Sequence, residues 1–253
     1  MTRIILNGCN GKMGQVISRI VSEDENFEIA AGLDINTYTQ NPYPVYTNPD
    51  DCEENADVII DFSHPSALEG LLDFAKNRNM PIVVATTGLS DEQKKLIEKS
   101  ASEIPVFFSA NMSLGINLLM DLARKATKLL GDKFDIEIIE KHHNQKLDAP
   151  SGTALALADA ISETLENPAE FVYDRHSVRR KRRKNEIGIH AVRGGTIVGE
   201  HEIIFAGNDE VIELKHTAAS KEVFAEGAVK AAEFMKEKPA GLYSMADLID
   251  ETN

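Results

Sequence analysis

Residues 139–161 read IEKHHNQKLDAPSGTALALADAI, a segment that brings groups able to move a proton close to groups able to hold an anion. His142 can give up or take a proton near neutral pH, because imidazole titrates there. Lys146 adds a positive charge a few residues on. In extended chain, neighbouring side chains face opposite ways, so His142 and His143 are expected to have different tasks. A metal site is a poor explanation, since no third His or Cys falls at ligand spacing. Taken alone, the pair suits a structural role as well as a catalytic one. The next residues tip the balance. Pro150 breaks the chain, Ser151 can cap, and Gly152 and Thr153 present backbone N–H groups at the head of an Ala-rich helix, where carboxylates bind well. Lys141, His142, His143, Lys146 and this helix terminus are expected to form one cationic niche for a small polycarboxylate.

A second chemical site is expected near the N-terminus. In NGCNGKMGQ (7–15), Gly8, Gly11 and Gly14 fit G-x-x-G-x-x-G, a variant of the glycine pattern that receives a dinucleotide pyrophosphate. Glycines there allow a tight turn and close backbone approach, and the following helix terminus takes the phosphates. Asp34 lies twenty residues after Gly14, at the end of the next apolar run, where a carboxylate accepts ribose hydroxyls. The alternative is a glycine turn of purely structural use. Cys9 reads as a small filler rather than a nucleophile, as nothing nearby would lower its pKa. VATTG (84–88) and SANMS (109–113) end later apolar runs with small hydrogen-bonding residues. Ligands of open α/β sheets bind beyond such strand ends.

These residues need elements to position them. RIILNG (3–8), FEIAAGLD (27–34), ADVIIDFS (56–63), PIVVATTG (81–88) and PVFFSA (105–110) are near-continuous apolar runs, as expected of strands buried on both faces of a parallel sheet. Helical patterns over 13–23, 65–78 and 90–102 lie between them, which predicts a Rossmann-like doubly wound α/β sheet. The link from 35 to 55 has three prolines and reads as a loop replacing a helix. A long amphipathic helix follows over 115–130, with Ile116, Leu119, Leu122, Ala123, Ala126 and Leu130 on one side. FDIEIIE, IGIHAVR, TIVGEHEIIFAG and EVIELKH alternate, predicting a second α+β domain on a mixed or antiparallel sheet. Residues 1–112 are expected to form the dinucleotide domain and 113–220 the substrate and oligomerisation domain. The helical stretch over 221–236 could pack on either.

Composition narrows the function classes. With 253 residues, 42% hydrophobic and 27% charged, the chain can bury a real core. No apolar run approaches the ~18 residues of a membrane span, and two cysteines give no disulfide framework, so a reduced cytoplasmic protein is expected. A net charge of −14 argues against general affinity for nucleic acid or anionic membrane. Seven of the 27 Lys and Arg residues crowd between Arg175 and Lys184. Without aromatic interleaving, that run reads as a solvated or intersubunit loop rather than a nucleic-acid patch.

EKHHNQKLDAPSGTA (140–154) resembles the E-x-H-H-x-x-K-x-D-A-P-S-G-T-A signature of the 4-hydroxy-tetrahydrodipicolinate (dihydrodipicolinate) reductase family, and GCNGKMG, ATTG, ANMSLGIN, RGGTIVGEHEIIFAG and LKHTAASKEVFAEGA extend the likeness over essentially the whole chain. The resemblance implies reduction of a cyclic dicarboxylate by a nicotinamide cofactor, on the diaminopimelate route to lysine. It also implies a tetramer built on the second sheet, with residues 221–253 returning to the first domain. Position by position, Gly8, Cys9, Asn10, Gly11, Lys12 and Met13 would hold pyrophosphate and Asp34 the ribose. Ala85, Thr86 and Thr87, with Ser109, Ala110, Asn111 and Met112, would surround the nicotinamide side. His142 would be the proton donor and acceptor and Lys146 a second donor, while His143, Gly152 and Thr153 would contact substrate carboxylate. The chain departs from the family in three places: Ile35 stands where an Arg often follows the ribose carboxylate, Lys12 where the glycine loop usually has Arg, and Met112 where Phe is common. NADH is therefore expected to be preferred and NADPH tolerated. Closure of the two domains would exclude water from the reaction. A diamino-acid dehydrogenase and a non-catalytic dinucleotide sensor are the rival readings; the first needs a carboxylate for the substrate amine, and the second needs no proton donor.

Overall fold

The computed structural model describes residues 1–252. The chain divides into two compact units, one of Met1–Leu114 with the segment from Glu222 onward, the other Gly115–Lys221. In the first, β1 (Thr2–Asn7), β2 (Phe27–Leu33), β3 (Val45–Tyr46), β4 (Val58–Asp61), β5 (Ile82–Val84), β6 (Pro105–Phe108) and β12 (Gly241–Tyr243) form one parallel sheet, in the order β12-β6-β5-β4-β1-β2-β3. The apolar runs are continuous because both faces are covered. Ile4, Leu6, Val58 and Ile60 point into one core, shared with Ile17 of α1 (Lys12–Ser22) and with Ala225, Ala228 and Ala232 of α6 (Glu222–Met235). Ile5, Ile59 and Ile82 point into the other, shared with Leu71 and Leu72 of α2 (Leu68–Asn77) and Ile97 of α3 (Asp91–Ser100). Ser90 starts α3 through a capping box with Gln93.

Three details depart from the expected elements. The 35–55 link is not all loop: β3 adds to the sheet edge beside Gly32 and Leu33, and Pro49–Asp51 makes a 3-10 turn. A two-residue strand shows no period to read. The 65–78 segment opens as a 3-10 turn over Pro65–Ala67 before α2 begins, its Ser66 N–H served by the His64 ring. After β12 comes α7 (Met245–Thr252), a helix not among the expected elements, with Met245 and Leu248 buried in the first core.

The second unit is built on a mixed sheet of β7 (Asp135–His142), β8 (Glu170–Val172), β9 (Glu186–Arg193), β10 (Gly199–Ala206) and β11 (Val211–Ala218), ordered β11-β10-β7-β9-β8. β10 is antiparallel to β7 and β11, whereas β9 is parallel to β7 and β8. One face carries Ile136, Ile138, Ile187, Ile189, Ile203 and Phe205 against α4 (Leu114–Leu130) and α5 (Gly152–Ser162). Of the residues expected along one side of α4, Leu122 is 41% exposed, and Thr127 takes its place in the buried stripe Ile116, Leu119, Ala123. That spacing of three to four residues leaves position 122 beside the stripe rather than in it. The basic run does not hang free. Arg175 bonds Glu137 at 2.6 Å and Glu186 at 2.8 Å, Arg180 bonds Glu186, and Arg182 bonds Glu137 and Asp135, both at 3.0 Å. It is a strap fastened to the strand ends.

Candidate active site

In the first unit the glycine turn is set by contacts that exclude a side chain. Gly8 has φ +80°, and a Cβ there would lie 2.5 Å from the Phe62 carbonyl oxygen. A Cβ on Gly14 would lie 2.2 Å from the Gly8 oxygen. Gly11 stands at the N-cap of α1 and offers no side chain to the first-turn N–H groups, nor does any acidic residue sit in that turn. The terminus is left to accept an anion, and a pyrophosphate fits that chemistry. Asp34 follows β2; its Oδ2 accepts from Asn10 N–H and its Oδ1 from Asn36 N–H, each at 2.9 Å. The carboxylate is thus tied to the glycine loop. Cys9 is wholly buried and fills the space that Gly32 leaves open. Burial, then the Asp34 charge, pushes its thiol up to about 12, so only its backbone can serve a ligand.

Lys12 is exposed and Met13 partly so. Ala85 and Thr86 are buried at the end of β5, and Thr87 is exposed. Ser109, Ala110 and Asn111 make the turn after β6, where Ser109 Oγ donates to the Asn111 carbonyl at 3.2 Å. The Met112 side chain is buried in the core, and its carbonyl lies where a Cβ on Gly227 of α6 would come within 1.7 Å. Strand order therefore brings the glycine turn, Thr86 and Asn111 to the carboxyl ends of one sheet, while the Met112 thioether stays in the core.

In the second unit, alternation along β7 decides what meets what. His142 is the last residue of the strand and faces the covered side with Glu140, Ile138 and Ile136. Lys141 faces the other side, where its Nζ bonds Glu200 at 3.1 Å. The expected niche therefore loses Lys141, because adjacent strand residues cannot share a face. Glu140 takes a larger part. It is fully buried; its Oε2 lies 2.6 Å from His142 Nδ1 and its Oε1 accepts from Ser151 N–H at 3.0 Å. Arg193 clamps both oxygens, at 2.8 and 2.7 Å. Burial alone would raise the Glu140 pKa, but Arg193, His142 and the Ser151 N–H outweigh it and hold the carboxyl below its usual value. An ionised Glu140 accepts only, so His142 donates from Nδ1 and keeps Nε2 for exchange. Gly199 lies against that edge, since a Cβ there would be 3.2 Å from Nε2.

Ser151 caps α5, accepting from Ala154 N–H at 3.2 Å and sharing a 3.0 Å hydrogen bond with His201 Nε2. The His201 ring is held neutral. Burial first, then His142, lowers its pKa to about 4. Lys146 bonds Asp148 at 2.9 Å, and Asp148 is held below the usual carboxylate range by Lys146 first, with the Gly152 N–H assisting. His143 and Thr153 are half-buried and Gly152 exposed at the same end of the unit. Glu140 was within reach of the period-two rule, two residues before His142. Arg193 was not, because only the parallel register sets it opposite His142.

A dinucleotide-type sheet sharing its chain with a unit that holds an imidazole ready for proton exchange defines a two-unit, nucleotide-dependent oxidoreductase. Residues 2–112 match the model of "Dihydrodipicolinate reductase, N-terminus" and residues 115–249 that of "Dihydrodipicolinate reductase, C-terminus". The chain belongs to the dihydrodipicolinate reductase family, whose activity implies a nicotinamide nucleotide. It is 54% identical over 249 residues to a 4-hydroxy-tetrahydrodipicolinate reductase of Caldanaerobacter subterraneus subsp. tengcongensis, covering 98% of each chain. It is 52% identical over 253 residues to one of Clostridium novyi, covering 100% of each. The dipicolinate-bound dihydrodipicolinate reductase of Paenisporosarcina sp. TG-14 superposes with a TM-score of 0.81 at 28% identity, over 96% of this chain and 97% of that one. The C. glutamicum diaminopimelate (DAP) dehydrogenase, at a TM-score of 0.56 and 12% identity over 96% of this chain and 92% of that one, shares the fold alone.

Proposed function

We propose that the chain reduces a cyclic unsaturated dicarboxylate, 4-hydroxy-tetrahydrodipicolinate, to tetrahydrodipicolinate, on the diaminopimelate route to lysine. The nicotinamide nucleotide supplies the hydride when bound. Gly8 to Met13 hold its pyrophosphate, Asp34 its ribose, and Ala85 to Thr87 with Ser109 to Met112 its nicotinamide side. His142 moves the accompanying proton at Nε2. Lys146, a second proton donor, balances negative charge as it develops. His143, Gly152 and Thr153 take a substrate carboxylate, which replaces Asp148 on Lys146. The observation that carries this reading is Glu140, one buried carboxylate that bonds both His142 and the N-cap of α5. The dipicolinate bound by the Paenisporosarcina reductase supports a small dicarboxylate as the substrate. Freshly made condensation product of pyruvate and aspartate semialdehyde should cause loss of NADH absorbance in proportion to enzyme. No loss above the substrate-free rate would refute the assignment.

The cofactor preference follows from the ribose end. Asp34 accepts from ribose hydroxyls but repels a 2′-phosphate, and Ile35, 94% exposed, supplies no guanidinium to offset it. Lys12 is a flexible point charge rather than a fork. NADH is favoured by about 1–2 kcal/mol, roughly 5–30-fold, on the scale of charge-assisted hydrogen bonds. Ile35→Arg should close that gap when dissociation constants for both cofactors are measured. Parent protein that binds NADPH tenfold tighter than NADH, with Lys12→Ala unchanged, would contradict it. The enzyme is a cytoplasmic homotetramer in this reading, assembled through the second sheet.

A further inference from the structure

Asp61 ends β4 and is wholly buried. Its Oδ1 accepts from Asn7 Nδ2 at 2.8 Å, Ser63 Oγ at 2.6 Å and Ser63 N–H at 3.2 Å. Its Oδ2 accepts from Thr86 Oγ1 at 2.8 Å, and Thr86 Oγ1 in turn accepts from Ser63 N–H at 3.0 Å. Each of these donors is neutral. A buried carboxylate ordinarily pairs with a cation, because neutral donors replace only part of its hydration. Burial accordingly raises its pKa, and the bonds from Ser63, Thr86 and Asn7 oppose that rise without cancelling it. The group is held where a positive charge would relieve it.

Its place in the sheet says what could bring that charge. The strand order runs outward from β1 to β2 and β3 on one side, and to β4, β5 and β6 on the other. A dinucleotide lies across such a switch point. Asp34, at the end of β2, marks the adenine-ribose half. The nicotinamide half then falls on the side of β4, β5 and β6, where Asp61 and Thr86 close the strand ends. Loss of hydride, with its electron pair, to a substrate carbon leaves a nicotinamide ring with one positive charge, whereas the reduced ring is neutral.

We propose that Asp61 selects the redox state of the cofactor, its buried charge favouring the oxidised, cationic nicotinamide over the reduced one and so favouring hydride donation. A fixed negative charge in a poorly hydrated interior acts on a charge that appears during reaction and needs no reorganisation to do so. Asp61 acts through the field and through Thr86, and is a positioning residue. The inference rests on the reading that the first unit holds a nicotinamide dinucleotide.

The test separates charge from tethering. Asp61→Asn keeps the shape. Its Oδ1 can still accept from Asn7 and Ser63, and its Nδ2 can donate to Thr86 Oγ1, so the loops stay tied while the charge is gone. Dissociation constants for NAD⁺ and NADH would be measured on the whole chain, parent and variant, by calorimetry. NAD⁺ should weaken by about 5–30-fold, the scale of one charge interaction in a protein interior, with NADH changed by less than about twofold. Equal weakening of both nucleotides would make Asp61 a tether and overturn the proposal, as would an unchanged ratio. If the asparagine variant does not fold, Asp61→Ser, smaller and uncharged, is read in the same way. A parent that binds neither nucleotide would overturn the cofactor reading itself, which an unchanged ratio would leave standing.

Discussion

Glu140 receives hydrogen bonds from His142, Ser151 and both amino groups of Arg193, so four donors converge on two oxygens that no water reaches. This fixes the tautomer of His142 and the first turn of α5 together. At this scale the sequence is legible where chemistry follows from near neighbours: Glu140 and His142 share a face by alternation, and Ser151 caps three residues before Ala154. It is not legible where a partner arrives from another strand, as Arg193 does, or where a cation is used locally, as Lys141 is by Glu200. Within the carboxylate niche, Thr153→Val should raise KM more than it lowers kcat, since it removes a contact present before and during reaction. Lys146→Ala should harm both, since it removes a charge beside an anion. Steady-state kinetics giving small and equal effects for the two variants would reduce this segment to a structural turn.

The elements of the first unit were readable because both faces of its sheet are covered, which turns strands into apolar runs of five or six residues bounded by turn signals. β3, β8 and β12, two or three residues each, carry no period and become strands only by pairing with neighbours. The basic strap shows a different limit. Its composition predicts a solvated or intersubunit loop, and Glu137, Glu186 and Asp135, set at the strand ends, are the partners that hold Arg175, Arg180 and Arg182. Arg175 and then Arg180 bring the Glu186 pKa from 4.5 down to about 2. A folded value below the unfolded one means that the pairing stabilises the fold above pH 4.5 and is lost as pH falls toward 2. Thermal melts between pH 5 and 3 should therefore show the parent losing stability more steeply than Glu186→Gln, which has no proton to take up. Parallel slopes would show that the strap contributes nothing to acid stability.

At the scale of the whole molecule, the proposed function gives cofactor binding to one unit and proton handling to the other, and α6 returns to the first unit after the second is complete. The open face of the second sheet bears Val192 and Val211, 44% and 59% exposed, between charged neighbours. Apolar side chains on an uncovered face favour self-association. Light scattering at micromolar concentration should give the mass of a tetramer, and a monomer's mass would contradict the assembly. The division of labour itself is tested most directly by His142→Gln, with kcat and the NADH dissociation constant measured on the same preparation. Loss of the proton-handling imidazole should lower kcat by roughly 10²–10⁴-fold and leave NADH binding within about twofold. A variant that turns over within about threefold of the parent rate, below the ordinary range for removing a general acid, would take His142 out of the reaction and contradict the account.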